Sequence, residues 1–201
     1  KSLTTQSLVI KAIWEHALPC TTRQWSSVLE KMPRNIYTFT VRYLSNCLPN
    51  KSNTQRWGIA ASAVCSFCPL RQTLGHVIGG CKTSLTEKRF NWRHNSILLN
   101  FARAAKALPC VAVYSDTEEC PEFASPSLIS GDSFRPDFIA VKGNDVFVME
   151  LTVGFEPNMH KNASRKQHRC QSLINEMSKT SSVHFLNLSM GAARIIGNDA
   201  T

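Results

Sequence analysis

Four residues able to bind a soft metal ion fall within positions 65–81, and they restrict the fold more than any other feature of the chain. Their spacing is Cys65-x2-Cys68-x7-His76-x4-Cys81. Zinc takes four thiolate or imidazole ligands at the corners of a tetrahedron, and a two-residue gap lets both sulfurs of a tight turn face one ion. The segment must then double back so that its two ends meet. Gly79-Gly80, directly ahead of Cys81, lets the backbone bend toward the metal. Four protein ligands leave no open position, so the expected zinc is structural rather than catalytic. The alternative is that the three cysteines and the histidine are buried singly. The x7 gap is longer than in the compact retroviral knuckle. That knuckle's direct nucleic-acid contact therefore does not carry over automatically, and a simpler role for zinc is to fasten the helical first part of the chain to the second.

The other cysteines, Cys20, Cys47, Cys110, Cys120 and Cys170, are scattered and odd in number, which is no disulfide framework. A reducing compartment with one metal site is the simpler reading. The 201 residues suit one or two modules. A 43% hydrophobic fraction with 18% charged residues excludes whole-chain disorder. No run approaches the ~18 apolar residues of a membrane helix, so no membrane partner is expected. The apolar segment Leu8-Val9-Ile10 is too short for a signal peptide. Because the chain opens on Lys1 rather than Met, a piece of a longer polypeptide is expected. Lys and Arg outnumber Asp and Glu by 23 to 14, a net charge of +9. That balance suggests an acidic partner, with nucleic acid leading the class. A basic surface that binds nothing is the competing reading.

Apolar positions recur near helical period through Leu8, Ile10, Ile13, Trp14 and Leu18, then through Trp25, Val28, Leu29 and Met32. A third stripe runs through Ile36, Phe39, Val41, Tyr43 and Leu44, and Pro19, Pro33 and Pro49 punctuate the series. Residues 1–60 therefore read as a helical linker region, with the polar stretch 49–57 expected to be a loop. Residues 61–83 hold the CCHC cluster. Ser84 and Glu87 form a capping-box pattern that opens a predicted helix of roughly two dozen residues, closed by Pro109. Strands follow over 111–114, 135–141 and 145–153, with a Ser-, Pro- and acid-rich loop over 115–133. A helix over 158–179 and a strand over 183–188 complete the chain. Residues 84–201 are thus one domain of order α-β-β-β-α-β, and the whole chain is α+β (mixed α/β).

The two central strands flank Gly143-Asn144, a two-residue hairpin turn in which glycine tolerates positive φ. Partners across such a hairpin sum to 287, so Asp137 falls opposite Glu150 on one sheet face. The same face carries Ile139, Val141, Val146 and Val148, and the other carries Phe138, Ala140, Phe147, Met149 and Leu151. This reads as a sheet buried on both sides. Paired carboxylates in that setting repel and are costly unless a cation neutralises them. A hard divalent ion bound by one or two carboxylates and a substrate phosphate meets that need. The competing reading places both acids at strand ends, solvated.

In the following helix, Lys166, Cys170, Leu173 and Met177 share one face. Leu173 and Met177 should face the sheet, which puts Lys166 on the inner edge within reach of the carboxylates. A solvated basic face is the alternative, since 158–179 also holds Lys161, Arg165, Arg169 and Lys179.

Arg135-Pro136-Asp137, then Glu150-Leu151-Thr152, then a helix with Arg165-Lys166, resembles the restriction-like endonuclease of site-specific non-LTR retrotransposons. The CCHC motif ahead of it, followed by a helix carrying Arg93-His94-Asn95, is similar to the same family. The resemblance covers about residues 45–180. It implies that residues 84–201 are a restriction-like nuclease domain of PD-(D/E)xK fold at the C-terminal end of a reverse transcriptase polypeptide. It also implies that Asp137 and Glu150 bind Mg²⁺ or Mn²⁺. In a standard enzyme of that fold the lysine would stand at Thr152; the family moves it to the next helix, where Lys166 matches. A family tyrosine four residues later is Cys170 here, and Glu156 matches an acid the family often carries.

The expected function is a DNA endonuclease that nicks target DNA, so that the freed 3′-hydroxyl primes reverse transcription. Asp137, Glu150 and Lys166 would be catalytic, with His94, Glu156 and Cys170 as auxiliary candidates. Arg93, Arg135, Lys161, Arg165 and Arg169 would hold phosphates. The partners implied are double-stranded target DNA, the element's RNA and the upstream reverse transcriptase domain, acting in the nucleus. The alternative is a zinc-stabilised nucleic-acid-binding or scaffold module of the same polypeptide without catalysis.

Overall fold

The computed structural model describes residues 7–20, 27–28, 30–117, 135–193 and 195–197. Among them the chain is α+β, with six α-helices and a four-stranded mixed sheet. The helices are α1 (Leu8–His16), α2 (Arg34–Leu44), α3 (Lys51–Arg56), α4 (Lys82–Thr86), α5 (Asn91–Lys106) and α6 (Met159–Met177). The strands are β1 (Ala112–Ser115), β2 (Phe138–Lys142), β3 (Asp145–Gly154) and β4 (Ser182–Gly191). No described helix is long and apolar enough to cross a membrane. Two compact units divide these elements. One holds the described residues up to Phe90, with 154–159 and those from 190 onward to 197. The other holds the described residues of 91–153 and 160–189.

In the second unit the sheet order is β1-β2-β3-β4. Gly143 takes φ +61°, the left-handed conformation that the tight turn requires. The hairpin register follows: Phe138 pairs with Met149, Val141 with Val146 and Lys142 with Asp145. Every such pair sums to 287, as expected from a two-residue turn. β1 lies antiparallel to β2. β4 runs beside β3 in the same direction: Ser182 N–H donates to Asn144 O, and Ala192 N–H donates to Gly154 O, ten residues further along both strands.

Ile139, Val146 and Val148 form a buried cluster, with Tyr114, Val141, Met177, Val183 and Phe185 packed against it. Met177 of α6 covers this face, as the helical period of 166, 170, 173 and 177 implies. On the other face Phe138, Ala140, Met149 and Leu151 are buried, but Phe147 is 44% exposed and stacks on His184. The expectation of a sheet buried on both sides therefore fails at Phe147, near the hairpin end of the sheet. β2 also starts at Phe138 rather than at Arg135. Pro136 has no N–H to give a ladder, although Asp137 O still accepts from Asp116 N–H.

The long helix expected from Ser84 is two helices. Lys88 has φ +56°, and Arg89 N–H donates to Ser84 O while Lys88 N–H donates to Leu85 O. This pair of bonds is a Schellman stop, normally built on glycine. Ser84 therefore lies inside α4, not at the head of a long helix. α5 is 16 residues long and packs on β1 and β2, with Leu98 and Ala102 fully buried.

In the first unit Val9, Tyr43, Leu74 and Phe155 make the core, with Ile13, Leu44 and Leu48 against it. The stretch expected to be a loop at 49–57 contains α3 instead. Asn50 caps it by accepting from Asn53 N–H, and the Asn53 amide donates to Asn46 O and Leu48 O at 2.8 and 2.7 Å. Polar side chains satisfy the backbone here, so no apolar period announces the helix. Of the second apolar stripe, Trp25 and Leu29 lie outside the described residues, as do 118–133 of the expected loop and Cys120. Its first position, Ser115, is the last residue of β1.

Candidate active site and metal centre

Asp137 stands just ahead of β2, Glu150 lies in β3 and Lys166 in α6, and the second unit brings the three together. Lys166 Nζ donates to Asp137 Oδ2 at 2.5 Å and to Leu151 O at 2.7 Å, and pairs with Glu150 Oε2 at 2.8 Å. Their side chains are 19%, 16% and 4% exposed for Lys166, Asp137 and Glu150. Asp137 Oδ2 also accepts from Leu151 N–H at 2.8 Å. The reading of these acids as solvated strand ends is thereby excluded.

His94 enters the same cluster from α5. Its Nε2 lies 3.3 Å from Asp137 Oδ2 and 3.1 Å from Leu151 O, and its Nδ1 lies 3.4 Å from Asn95 Oδ1. The sequence reading named His94 as an auxiliary candidate. It missed Leu151, whose backbone serves as both donor and acceptor, because a main-chain carbonyl carries no residue-type signal.

Burial alone would raise the Asp137 carboxyl, but the His94 hydrogen bond and the Lys166 charge hold it well below the usual carboxylate range. Glu150 is pushed up, by burial first and then by the Asp137 charge. Burial works against charge on Lys166 and on His94, yet the carboxylates beside Lys166, and Asp137 beside His94, raise both. The cluster thus splits its two acids, one strongly ionised and one that ionises less readily.

The donors suit a hard divalent ion. Two carboxylates and a carbonyl converge on one cationic position, which Lys166 Nζ marks. Glu150 Oε1 is buried with no hydrogen-bond partner among the described residues, an orphaned acceptor that a cation would satisfy. Thr152, where a standard PD-(D/E)xK enzyme has its lysine, is buried with its hydroxyl also unpartnered. Cys170 is fully buried one helical turn from Lys166. Its thiol is pushed up to about 12, by burial and then by the Glu150 charge, which disfavours the thiolate.

Lys161, Arg165 and Arg169 are exposed on one face of α6, at intervals of four residues. Arg135 is exposed beside Asp137 in sequence, and Arg93 is half-buried on α5. Glu156 belongs to the first unit. Its carboxylate is fully buried, accepts the Tyr43 hydroxyl on Oε2 and accepts Ala193 N–H on Oε1 at 2.8 Å. This carboxylate is engaged in holding its own unit together.

The Cys/His cluster lies in the first unit. One ligand atom from each of Cys65, Cys68, His76 and Cys81 falls within 4.8 Å of all the others. Cys68 Sγ is 3.3 Å from His76 Nε2 and 4.0 Å from Cys81 Sγ. With Zn–S near 2.3 Å, neighbouring corners of a tetrahedron lie about 3.8 Å apart, so the four atoms fit a zinc-like ion. A Val64–Arg71 bridge closes the turn that holds the first two cysteines, and Phe67 N–H donates to Cys65 Sγ. A π-helical turn, His76–Gly80, carries the histidine and delivers the chain to Cys81. The hydrogen bonds from Ser84, first its side chain and then its backbone, lower the Cys81 thiol to about 7. The Leu70 backbone bond pulls Cys68 down, but burial and the neighbouring cysteines leave it raised.

Compared with known proteins, the chain matches no protein-family model and no curated relative.

Proposed function

We propose that the chain is a metal-dependent DNA endonuclease of PD-(D/E)xK type, part of a site-specific non-LTR retrotransposon polypeptide. It nicks one strand of target DNA, and the freed 3′-hydroxyl primes reverse transcription by an upstream polymerase domain. Double-stranded DNA in the nucleus, together with the element's RNA, is the substrate environment this reading implies.

The single observation that carries the reading is the convergence on Lys166 Nζ of Asp137, Glu150 and the Leu151 carbonyl, with an orphaned Glu150 oxygen beside them. The element order α5-β1-β2-β3-α6-β4 supports it. Asp137, Glu150 and Leu151 O are the groups that would hold Mg²⁺ or Mn²⁺. When bound, such an ion supplies positive charge at the scissile phosphate and makes a water molecule more acidic. Lys166, held beside both carboxylates, would stabilise charge developing on phosphate oxygens. The exposed face of Lys161, Arg165 and Arg169, with Arg93 and Arg135, grips the DNA backbone without reading its sequence. Binding should weaken steeply as salt rises. A structural zinc at Cys65, Cys68, His76 and Cys81 stiffens the first unit.

The test is nicking of supercoiled plasmid in Mg²⁺ or Mn²⁺, with EDTA and Asp137→Ala as controls. Nicked circles that vanish in both controls are the expected result. A second reading, a non-catalytic nucleic-acid-binding or scaffold module, draws on the fact that Lys166 already neutralises both carboxylates without an ion. It predicts zinc-loaded protein that shifts DNA in a gel and leaves plasmid supercoiled.

A further inference from the structure

Two nitrogen atoms contend for the same oxygens in the carboxylate cluster. Lys166 Nζ holds Asp137 Oδ2, Leu151 O and Glu150 Oε2. His94 Nε2 lies 3.3 and 3.1 Å from the first two of these. Glu150 Oε1 stands beside them, buried and unpartnered among the described residues.

We propose that His94 Nε2 is the nitrogen donor of a divalent-cation site completed by Asp137, Glu150 and the Leu151 carbonyl, and that it selects Mn²⁺ over Mg²⁺. The proposal rests on the metal-dependent reading above and sharpens it. Mg²⁺ is a hard ion that takes oxygen donors and gives up its waters reluctantly. First-row transition dications accept imidazole as well as carboxylate. The oxygens alone would serve either ion, and one nitrogen among them favours the transition metal.

The position of His94 is built rather than incidental. Leu98, four residues along α5 from His94, and Ala102 are fully buried, so this helix cannot turn the ring away without unpacking. Asn95 Oδ1 sits 3.4 Å from the other ring nitrogen, a contact of the kind that orients ligating histidines.

The test uses the full chain with zinc in its Cys/His cluster. Mn²⁺ binding is titrated by electron paramagnetic resonance, Mg²⁺ by competition, and pulsed spectra of the bound Mn²⁺ are read for nitrogen coupling. Asp137→Ala sets the background. Wild type should show nitrogen coupling that Asp137→Ala lacks, and isotope-labelled histidine should change it. His94→Gln should lose the coupling and weaken Mn²⁺ by about tenfold while Mg²⁺ changes little. Because the isotope experiment needs no variant, a misfolded His94→Gln leaves the proposal open to refutation. Asp137-dependent Mn²⁺ without nitrogen coupling, or a His94→Gln variant that weakens both ions equally, overturns the role of His94 and leaves the nuclease reading standing. No Asp137-dependent Mn²⁺ at all overturns both.

Discussion

The Lys166 ammonium lies 2.5 Å from Asp137 Oδ2, although 29 residues separate them in the chain. α6 carries one partner and the approach to β2 carries the other. Packing of Met177 against the sheet brings this helix face to the carboxylates, which makes the cation as much a product of the core as of the site.

Lys166→Met keeps the side-chain bulk and removes the charge. Asp137 and Glu150 then face each other almost wholly buried. The expected cost is about 3–5 kcal/mol, the range for breaking a buried ion pair from one side. It should appear as a lower urea midpoint in EDTA. Mg²⁺ or Mn²⁺ should restore more stability to this variant than to wild type. A variant as stable as wild type in EDTA would show that Lys166 does not neutralise the pair.

Acid should erase the Asp137 contribution. Its folded carboxyl is held below the ordinary aspartate value of about 3.9. The stability this gives is therefore complete above that value and drains away as pH falls below it toward the folded value. Urea unfolding of wild type and Asp137→Asn should differ most near pH 6, and the gap should shrink steadily as pH falls below about 4. A gap that stays constant across this window would contradict the assignment.

Glu156 should matter to stability rather than to phosphate chemistry. Tyr43→Phe removes the hydroxyl that bonds the buried carboxylate, at an expected cost of about 1.5–3 kcal/mol. Gly191→Ala would set a Cβ only 2.6 Å from Glu156 Cγ and should also lower the melting temperature. Both variants, once folded, should nick plasmid at the wild-type rate. A large loss of nicking with an unchanged melting point would contradict this purely structural role.

Zinc should be held tightly in a ratio of one per chain. His76→Ala or Cys81→Ser should leave protein with little metal by mass spectrometry and a first unit more open to protease. Full zinc content in both variants would mean that the four residues do not share an ion.

Much of the Asp137, Glu150 and Lys166 cluster was legible before any fold. A two-residue turn fixes hairpin register, so Asp137 and Glu150 could be paired by counting outward from Gly143-Asn144. A 3.6-residue period fixes a helix face, so Lys166 could be set beside Met177. Other elements left no such mark. α3 has six residues and no apolar stripe, and it stands on Asn50 and Asn53 hydrogen bonds. The break between α4 and α5 depends on the left-handed conformation of Lys88, a residue that ordinarily continues a helix.

Short-range rules account for the four-ligand spacing of the Cys/His cluster, the hairpin register and the inward face of α6, and residue types alone reveal them. Long-range packing is what brings His94, 43 residues from Asp137, and the Leu151 backbone to the carboxylates, and what turns Glu156 instead to Tyr43. Local geometry repeats with a period that residue types reveal. Convergence of distant groups comes from how helices pack on a sheet, and a main-chain carbonyl looks the same at every position in a sequence.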